Sequence, residues 1–320
     1  MKFKRAMLVE PGKFEMFEVE ESPGPGQILI RIASCGLCNW ELNFWDGTLN
    51  FQGYPHKLGH EFAGVVEDVG EGCNKFKIGD KVSAVDRGFG GFAEYRVTSE
   101  AACQKLGDDI DVVYAMGEPQ KCVLTVLRAA DPEAGDFGVI LGCGPMGLWC
   151  VQALAGNTLG ALIAVDISDK ALLLAEGFGA THIINSRKED AAARIKDITG
   201  GHMADFLIEG TGIPAMMNAA QDYMKIGRGS RILLMSSHHG SCPDFDFRKS
   251  IGKGLQIIAA HPPYSVNETD DFRRAVIYIN NGTFKNKELV THEFPLENIQ
   301  KAFETLEKKP DGFIKGIVIP

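Results

Sequence analysis

The stretch Val139-Ile140-Leu141-Gly142-Cys143-Gly144-Pro145-Met146-Gly147 decides the fold of the second half of this chain. Three apolar, strand-forming residues lead into the pattern G-x-G-x-x-G, and apolar residues continue from Leu148 at helical spacing. Glycines at such a strand-to-helix turn let the backbone approach a pyrophosphate, which the amides and dipole of the helix N-terminus bind. This context predicts a dinucleotide site, with Gly142, Gly144, Pro145, Met146 and Gly147 as its cofactor-binding residues.

Asp166 indicates which dinucleotide binds. It ends the next apolar run, 162–165, roughly 20 residues after the glycines, where a carboxylate accepts hydrogen bonds from the adenine ribose hydroxyls. Its negative charge would repel a 2′-phosphate, so NAD is favoured over NADP. Two alternatives stay open: Asp166 also fits the cap of the following helix, and Lys170 fits the phosphate of NADP.

Strands and helices alternate after about residue 130. Apolar runs at 139–141, 162–165, 182–184, 206–208 and 232–235 are separated by amphipathic segments, and 256–260 adds a sixth run. This alternation is typical of βαβ units in a doubly wound parallel sheet. Helical patterns at 270–280 and 296–308 then precede a strand pattern at 313–319.

The residues up to about 105 follow a different pattern. Short extended segments, such as 27–32, 62–70 and 90–97, are separated by turns rich in proline and glycine. We therefore predict a β-rich first domain and an α/β second one. A length of 320 residues is sufficient for two hydrophobic cores.

Composition and charge exclude several classes of function. A net charge of −9 and a pI near 5.4 argue against a nucleic-acid or anionic-membrane surface. No apolar run reaches membrane-spanning length, and Glu10 and Pro11 interrupt the N-terminus before it forms a signal-peptide core. The eight cysteines have scattered spacings, which indicates reduced thiols. We expect a cytoplasmic protein with a small-molecule substrate and no nucleic-acid or membrane partner.

Four side chains are candidate metal ligands and catalytic residues: Cys38, His60, Glu61 and Glu118. A thiolate, an imidazole and carboxylates hold zinc in catalytic sites, where three protein ligands leave a fourth position open. Cys35-x-x-Cys38 has no second pair of this kind to complete a closed four-thiolate site. Cys35 is therefore interpreted as a packing residue.

Six motifs follow one another along the chain. They are Cys35-Gly36-Leu37-Cys38, Gly59-His60-Glu61-x-x-Gly64-Val65-Val66, Gly79-Asp80-Lys81-Val82, Gly91-Phe92-Ala93-Glu94-Tyr95, Glu118-Pro119 and Gly142-x-Gly144-x-x-Gly147. Their order resembles that of the zinc-dependent medium-chain dehydrogenases/reductases, over essentially the whole chain. Glu118 stands where the alcohol dehydrogenase branch has a cysteine, so the chain is similar to the sorbitol and polyol dehydrogenase branch.

The resemblance implies a GroES-like, β-rich catalytic domain of residues 1–130 and 270–320, and a Rossmann NAD-binding domain of residues 131–269. In relatives, the residues that match Cys38 and His60 bind the catalytic zinc. Those that match Glu61 and Glu118 act as a ligand, as an exchanging ligand, or as a holder of the zinc-bound water. Relatives are commonly dimers or tetramers, so we expect a homo-oligomer.

Two departures from the family pattern affect the chemistry. Many relatives have a lobe of four cysteines that binds a structural zinc, where this chain has only residues 83–89, so one zinc per chain is expected. Many also place a Ser or Thr proton relay two residues after the zinc cysteine, where this chain has Trp40, whose indole lacks an acidic hydroxyl. Glu41 matches the carboxylate that supports the metal histidine.

These features predict a zinc-dependent oxidoreductase that transfers a hydride between NAD and a secondary alcohol or ketone of a polyol, cyclitol or sugar. Zinc would act as a Lewis acid on the substrate oxygen, and the nicotinamide would accept the hydride. The alternatives are a biosynthetic ketone reductase that uses NADPH and a non-catalytic nucleotide-binding relative. The complete ligand set argues against the second.

Several nearby aromatic and histidine residues have more than one interpretation. Trp40, Phe44 and Trp45 either stack on a ring-shaped substrate or pack in the core. His56 is interpreted as a packing residue, and His238-His239 as residues near the nicotinamide.

Overall fold

A computed structural model of the chain describes residues 1–51, 53–237 and 240–320. These residues divide into two units, Met1–Lys121 together with Phe272–Pro320, and Cys122–Asp271. The divisions lie near the predicted domain boundaries at 130/131 and 269/270, and the domain assignment itself stays a prediction. His238 and His239 lie outside the described residues.

The N-terminal part of the first unit is built mainly of strands. They are β1 Lys2–Glu10, β2 Lys13–Glu20, β3 Gln27–Gly36, β4 His56–Lys57, β5 Glu61–Val69, β6 Lys81–Val85, β7 Tyr95–Ser99 and β8 Cys103–Lys105, with the short helix α1 Leu42–Trp45 between β3 and β4. Short 3-10 turns lie at Asn39–Glu41, Glu100–Ala102 and Val112–Tyr114. The prediction of a β-rich N-terminal region is confirmed.

The second unit alternates strands and helices. The elements from the end of the first unit onward are α2 Glu118–Ala130, β9 Phe137–Leu141, α3 Pro145–Leu154, β10 Ala161–Asp166, α4 Asp169–Gly177, β11 His182–Asn185, α5 Ala191–Ile198, β12 Phe206–Glu209, α6 Met216–Tyr223, β13 Arg231–Leu234, α7 Phe247–Lys253 and β14 Gln256–Ala259. The strands form one parallel sheet in the order β11-β10-β9-β12-β13-β14. This is the doubly wound order of dinucleotide-binding folds, and it confirms the predicted sheet.

The C-terminal segment returns to the first unit. It contains α8 Glu268–Asn280, α9 Asn286–Leu289, β15 Val290–Pro295, the 3-10 turn Leu296–Asn298, α10 Ile299–Lys308 and β16 Lys315–Ile319. β16 pairs with β15 in parallel and with β3 in an antiparallel register, so the larger sheet has the order β15-β16-β3-β5-β6-β8, with β7 paired to β3. β2, β1 and β4 form a second sheet.

Packing explains why the two distant segments form one core. Phe303 of α10 is fully buried, and its ring lies 4.8 Å from that of Phe14, 5.6 Å from that of Trp45 and 5.6 Å from that of Phe92. Burial of large aromatic side chains from both segments supplies the hydrophobic free energy that holds them together.

Three further sequence predictions concern the lobe, the thiols and membranes. Residues 86–94 connect β6 to β7 directly and contain no cysteine, so the structural-zinc lobe is missing as expected. All eight cysteines are free thiols. No helix within the described ranges is both long and apolar enough to cross a bilayer. The cytoplasmic location stays a prediction.

Candidate active site

The pairing of β3 with β5 brings the predicted metal ligands together. Gly36, at the end of β3, lies opposite Glu61, the first residue of β5. Cys38 follows shortly after β3 and His60 immediately precedes β5, so both side chains lie at this end of the sheet. One ligand atom each from Cys38, His60 and Glu61 lie within 4.8 Å of one another. Across residues 1–51, 53–237 and 240–320, this is the one His/Cys/Asp/Glu group with that geometry.

Glu118 joins the same site from the first turn of α2. Its Oε2 lies 4.0 Å from His60 Nε2, outside the tighter group of three. The structure therefore brings all four predicted side chains together and places two carboxylates within reach of one centre. The tighter group favours Glu61 as the third ligand, and Glu118 lies beside this group.

Glu41 fixes the orientation of the imidazole. It is fully buried, and its Oε1 accepts a hydrogen bond from the amide of Gly59 at 2.7 Å and lies 2.9 Å from His60 Nδ1. A carboxylate on one ring nitrogen of a histidine directs the other nitrogen toward a metal and raises its basicity. The predicted supporting role of Glu41 fits this arrangement, and the donor set fits zinc.

The electrostatics of the centre favour a bound cation. Burial lowers the pKa of His60, but the Glu41 carboxylate and the Cys38 thiol outweigh burial and raise that pKa well above its ordinary value. Burial, aided by the charge of Glu61, raises the pKa of Cys38. The surrounding anionic groups thus attract positive charge, and a metal ion would compete with protons for the thiol and the imidazole.

Each carboxylate of the centre is paired with a buried lysine that the sequence reasoning did not identify. Lys315 of β16 donates from Nζ to Glu61 Oε2 at 2.5 Å and to the Leu37 carbonyl at 2.9 Å. Lys121 Nζ lies 3.0 Å from Glu118 Oε1. Burial lowers the pKa of Lys315, but Glu61 together with the Cys38 and Cys35 thiols outweighs burial and raises this pKa above its ordinary value. Burial raises the pKa of Glu118, but Lys121 together with His60 and Lys315 outweighs burial and lowers this pKa below its ordinary value. The charged forms of Lys315 and Glu118 are therefore favoured.

The sequence contains different indications of the positions of these two lysines. Lys121 lies three residues after Glu118 in a helical pattern, and this spacing places two side chains on one helix face. Lys315 is the single charge in the apolar run 313–319, which marks an unusual buried position. Nothing in the sequence, however, connects Lys315 with Glu61.

Trp40 forms an aromatic wall beside His60 together with Phe89, another residue that the sequence did not single out. The Trp40 and Phe89 rings stack with their centroids 5.9 Å apart at 10°, and these centroids lie 6.0 and 5.6 Å from that of the His60 ring, which is nearly perpendicular to both. Phe44 and Trp45 are buried, so the core interpretation is correct for these two. Trp40 is half-buried and lies at the site.

His56 packs against aromatic side chains, as interpreted from the sequence. Its ring lies 5.3 Å from that of Phe44 and 4.7 Å from that of Tyr54, and its Nε2 lies 3.1 Å from Asn50 Oδ1. Burial lowers its pKa, which favours the neutral ring.

The glycine motif forms the predicted turn between β9 and α3. Gly142 has a φ of 94°, a conformation that favours glycine, and a Cβ on Gly147 would lie 2.0 Å from the Gly142 carbonyl oxygen. α3 then begins at Pro145 with Gly144 as its N-cap, which leaves the first amides of the helix available for a phosphate. Residues Gly142 to Gly147, including Met146, thus have the geometry of a pyrophosphate-binding turn.

Asp166 lies at the end of β10 beside this turn. Its Oδ2 accepts the amide of Cys143 at 2.6 Å, and its Oδ1 accepts the amides of Ile167 and Ser168 at 2.7 and 2.8 Å. The cap of α4 is Ser168, whose hydroxyl accepts the amide of Ala171. The helix-cap interpretation of Asp166 is therefore wrong, and its carboxylate is fixed next to the glycine motif.

Comparison with known proteins identifies the family. The chain matches the family profiles "Alcohol dehydrogenase GroES-like domain" over residues 24–108 and "Zinc-binding dehydrogenase" over residues 145–277. It is 30% identical to the erythritol/L-threitol dehydrogenase of Mycolicibacterium smegmatis, over 92% of this chain and 91% of that protein. It is 27% identical to the (R,R)-butanediol dehydrogenase of Bacillus subtilis, over 94% of each. An Escherichia coli oxidoreductase/dehydrogenase of unknown specificity has the same fold, with a TM-score of 0.86 at 27% identity, over 100% of this chain and 99% of that one.

The chain belongs to the zinc-dependent medium-chain dehydrogenase/reductase family and is similar to its polyol dehydrogenases. It is an enzyme of the alcohol/polyol dehydrogenase class, with a GroES-like domain and a Rossmann-type sheet. The predicted family, fold class and enzyme class are confirmed, and the family supports a zinc ion and a nicotinamide cofactor.

We expect the Glu41→Gln variant to bind zinc about 10- to 100-fold more weakly, because the amide lacks the charge that orients and polarises His60. Competition with a chromophoric chelator measures this affinity. Glu94→Gln is the matched control, since Glu94 also accepts a backbone amide, that of Lys4, in the same unit. Wild-type affinity in Glu41→Gln would contradict the supporting role of Glu41.

Proposed function

We propose that this enzyme uses one zinc ion and NAD to interconvert a secondary alcohol and a ketone in a polyol, cyclitol or sugar. The observation that carries the proposal is the group of Cys38, His60 and Glu61 with Glu118 beside it. A thiolate, an imidazole and carboxylates form an open zinc site rather than a closed one. The 30% identity to an erythritol/L-threitol dehydrogenase supports a polyol substrate.

Zinc bound at this centre would supply Lewis-acid chemistry on the substrate oxygen. The residues of the chain have distinct tasks around it. Cys38 and His60 would hold the ion, Glu41 orients His60, and Glu61 or Glu118 provides the third ligand. Trp40 has no acidic hydroxyl, so the proton leaves by another route than in relatives with Ser or Thr at this position.

The aromatic wall supports substrates that have a hydrocarbon face. The C–H bonds on one side of a cyclitol or sugar ring pack well against aromatic side chains, while the hydroxyls keep polar partners. Trp40 and Phe89 supply such a surface next to His60. We therefore retain the ring-shaped members of the substrate class beside the open-chain polyols.

NAD is proposed over NADP because of Asp166. Its carboxylate is fixed by three backbone amides next to the glycine motif, where the adenosine ribose of a dinucleotide binds in folds of this class. A 2′-phosphate at this position would meet a like charge.

We further propose a homodimer that forms through the edge of the parallel sheet. Within the described part of the chain, β14 is an edge strand that pairs with β13 alone, and three of its four residues are exposed. Ile257 in this strand and Ile251 and Phe247 in α7 expose 40%, 79% and 70% of their surface. An unprotected edge with apolar neighbours favours pairing with another strand, and a second copy offers the same edge.

We expect Cys38→Ser to lose turnover and zinc while it retains NAD binding, because the nucleotide residues lie elsewhere in the chain. Metal analysis, NAD titration and NADH formation on a panel of polyols, inositols and sugars measure the three properties. Wild-type protein should contain about one zinc per chain. Cys103→Ser, which alters another buried thiol of the first unit, is the control. Full activity of Cys38→Ser would disprove the site assignment.

The cofactor proposal predicts a higher kcat/KM with NAD than with NADP. Asp166→Asn should shift the NAD/NADP ratio toward NADP by on the order of tenfold or more, because it removes a charge close to the 2′ position. Asp197→Asn changes an exposed carboxylate of α5 and should leave the ratio unchanged. A wild-type preference for NADP would refute the role given to Asp166.

The dimer proposal predicts that Ile257→Lys converts the protein to monomers, since a lysine on an edge strand prevents strand pairing. Light scattering coupled to gel filtration measures the mass. Ile277→Lys, at a residue of similar exposure on α8, should stay dimeric. A monomeric wild type, or an unchanged mass in Ile257→Lys, would be incompatible with this interface.

A further inference from the structure

Lys121 and Lys315 each occupy one oxygen of a carboxylate in the candidate centre. Lys121 pairs with Glu118 Oε1, so the oxygen of Glu118 that lies toward His60 is Oε2. Lys315 pairs with Glu61 Oε2. Both lysine side chains are only about 5% exposed. In Glu118, Oε1 is thus engaged by Lys121 while Oε2 lies toward His60.

The charges of the centre balance around a divalent cation. Cys38 as a thiolate, Glu41, Glu61 and Glu118 carry four negative charges, and Lys121 and Lys315 carry two positive ones. The two remaining negative charges match one Zn²⁺. Without Lys121, the second carboxylate would be uncompensated and drawn toward the metal, because charges at this depth are poorly screened.

We propose that Lys121 is a positioning residue. By binding Oε1 of Glu118, it prevents this carboxylate from approaching the metal with both oxygens, and so keeps a coordination position open for the substrate. The inference rests on the proposed zinc site. Glu118 lies on the same helix as Lys121, three residues earlier, so the pair is built into the first turn of α2 and does not depend on a flexible loop. The role concerns geometry, and Lys121 itself need not touch the substrate.

The test uses purified full-length protein loaded with Co²⁺ or Zn²⁺. In Lys121→Met, Oε1 of Glu118 is released, so both oxygens of this carboxylate should bind the metal. The higher coordination number of the metal weakens the visible absorption of the Co²⁺ form per ion. Zinc should bind about tenfold more tightly, because the uncompensated carboxylate attracts the ion; this is opposite in sign to the roughly 10- to 100-fold loss that is typical when a partner that supports a metal ligand is removed. KM for the alcohol should rise, because the carboxylate fills the substrate's position.

Further variants make the interpretation specific. Lys121→Arg keeps the positive charge and should keep the wild-type spectrum. Glu118→Gln combined with Lys121→Met removes the carboxylate that moves, so its spectrum should match that of Glu118→Gln alone. Lys105→Met breaks the Lys105–Asp80 ion pair elsewhere in the first unit and should change neither zinc affinity nor spectrum.

An unchanged spectrum, or weaker zinc binding, in Lys121→Met would overturn the proposal, as would a difference between the spectra of the double variant and of Glu118→Gln. If Lys121→Met does not fold, Lys121→Gln replaces it, with the same expected direction and the same contradicting results. Failure of the wild type to bind either metal would instead refute the proposed zinc site, so the two failures are distinguishable.

Discussion

The buried ion pair between Lys315 and Glu61 is the interaction on which the candidate centre depends. It joins β16 to Glu61, the first residue of β5, which directly follows His60, a predicted metal ligand. Gly36 of β3 lies opposite Glu61, and a larger residue does not fit there, since a Cβ at this position would lie 2.1 Å from Glu61 Oε2. Loss of one partner of such a buried pair costs about 3–5 kcal/mol, because the other charge stays buried alone. The sheet register, the position of Glu61 and the neighbouring His60 therefore depend on one another.

Much of the fold and of the ligand set was predictable from the sequence, because local patterns encode them. Strand and helix periodicities identified all six strands of the parallel sheet, and the spacing of the glycines placed Asp166 beside them. The family resemblance supplied Cys38, His60, Glu61 and Glu118. Their roles stay predictions until metal binding is measured, although the structure brings all four side chains to one place.

The features that could not be predicted arise from long-range packing. Lys315 lies 254 residues from Glu61 along the chain, and no local pattern connects the two. Phe89 has a φ of 54°, a left-handed conformation that costs a non-glycine residue about 1–3 kcal/mol and that no propensity favours. Its stacking on Trp40, an interaction worth about 0.5–1.5 kcal/mol, offsets part of this cost. Many relatives have a zinc-binding lobe where this chain has the short connection 86–94. This connection thus contributes the aromatic side chain of Phe89 to the candidate site.

The return of the C-terminal segment also sets an order of events during synthesis. A chain leaves the ribosome from its N-terminus, and domains generally fold as units as they emerge. Cys38, His60, Glu61 and Glu118 are all translated before the parallel sheet, whereas Lys315 follows it. A nascent chain therefore has the predicted ligands without the charge that compensates Glu61. The parallel sheet can complete its pairing first, and Glu61 gains its lysine partner only once β16 has been released and has paired with β3.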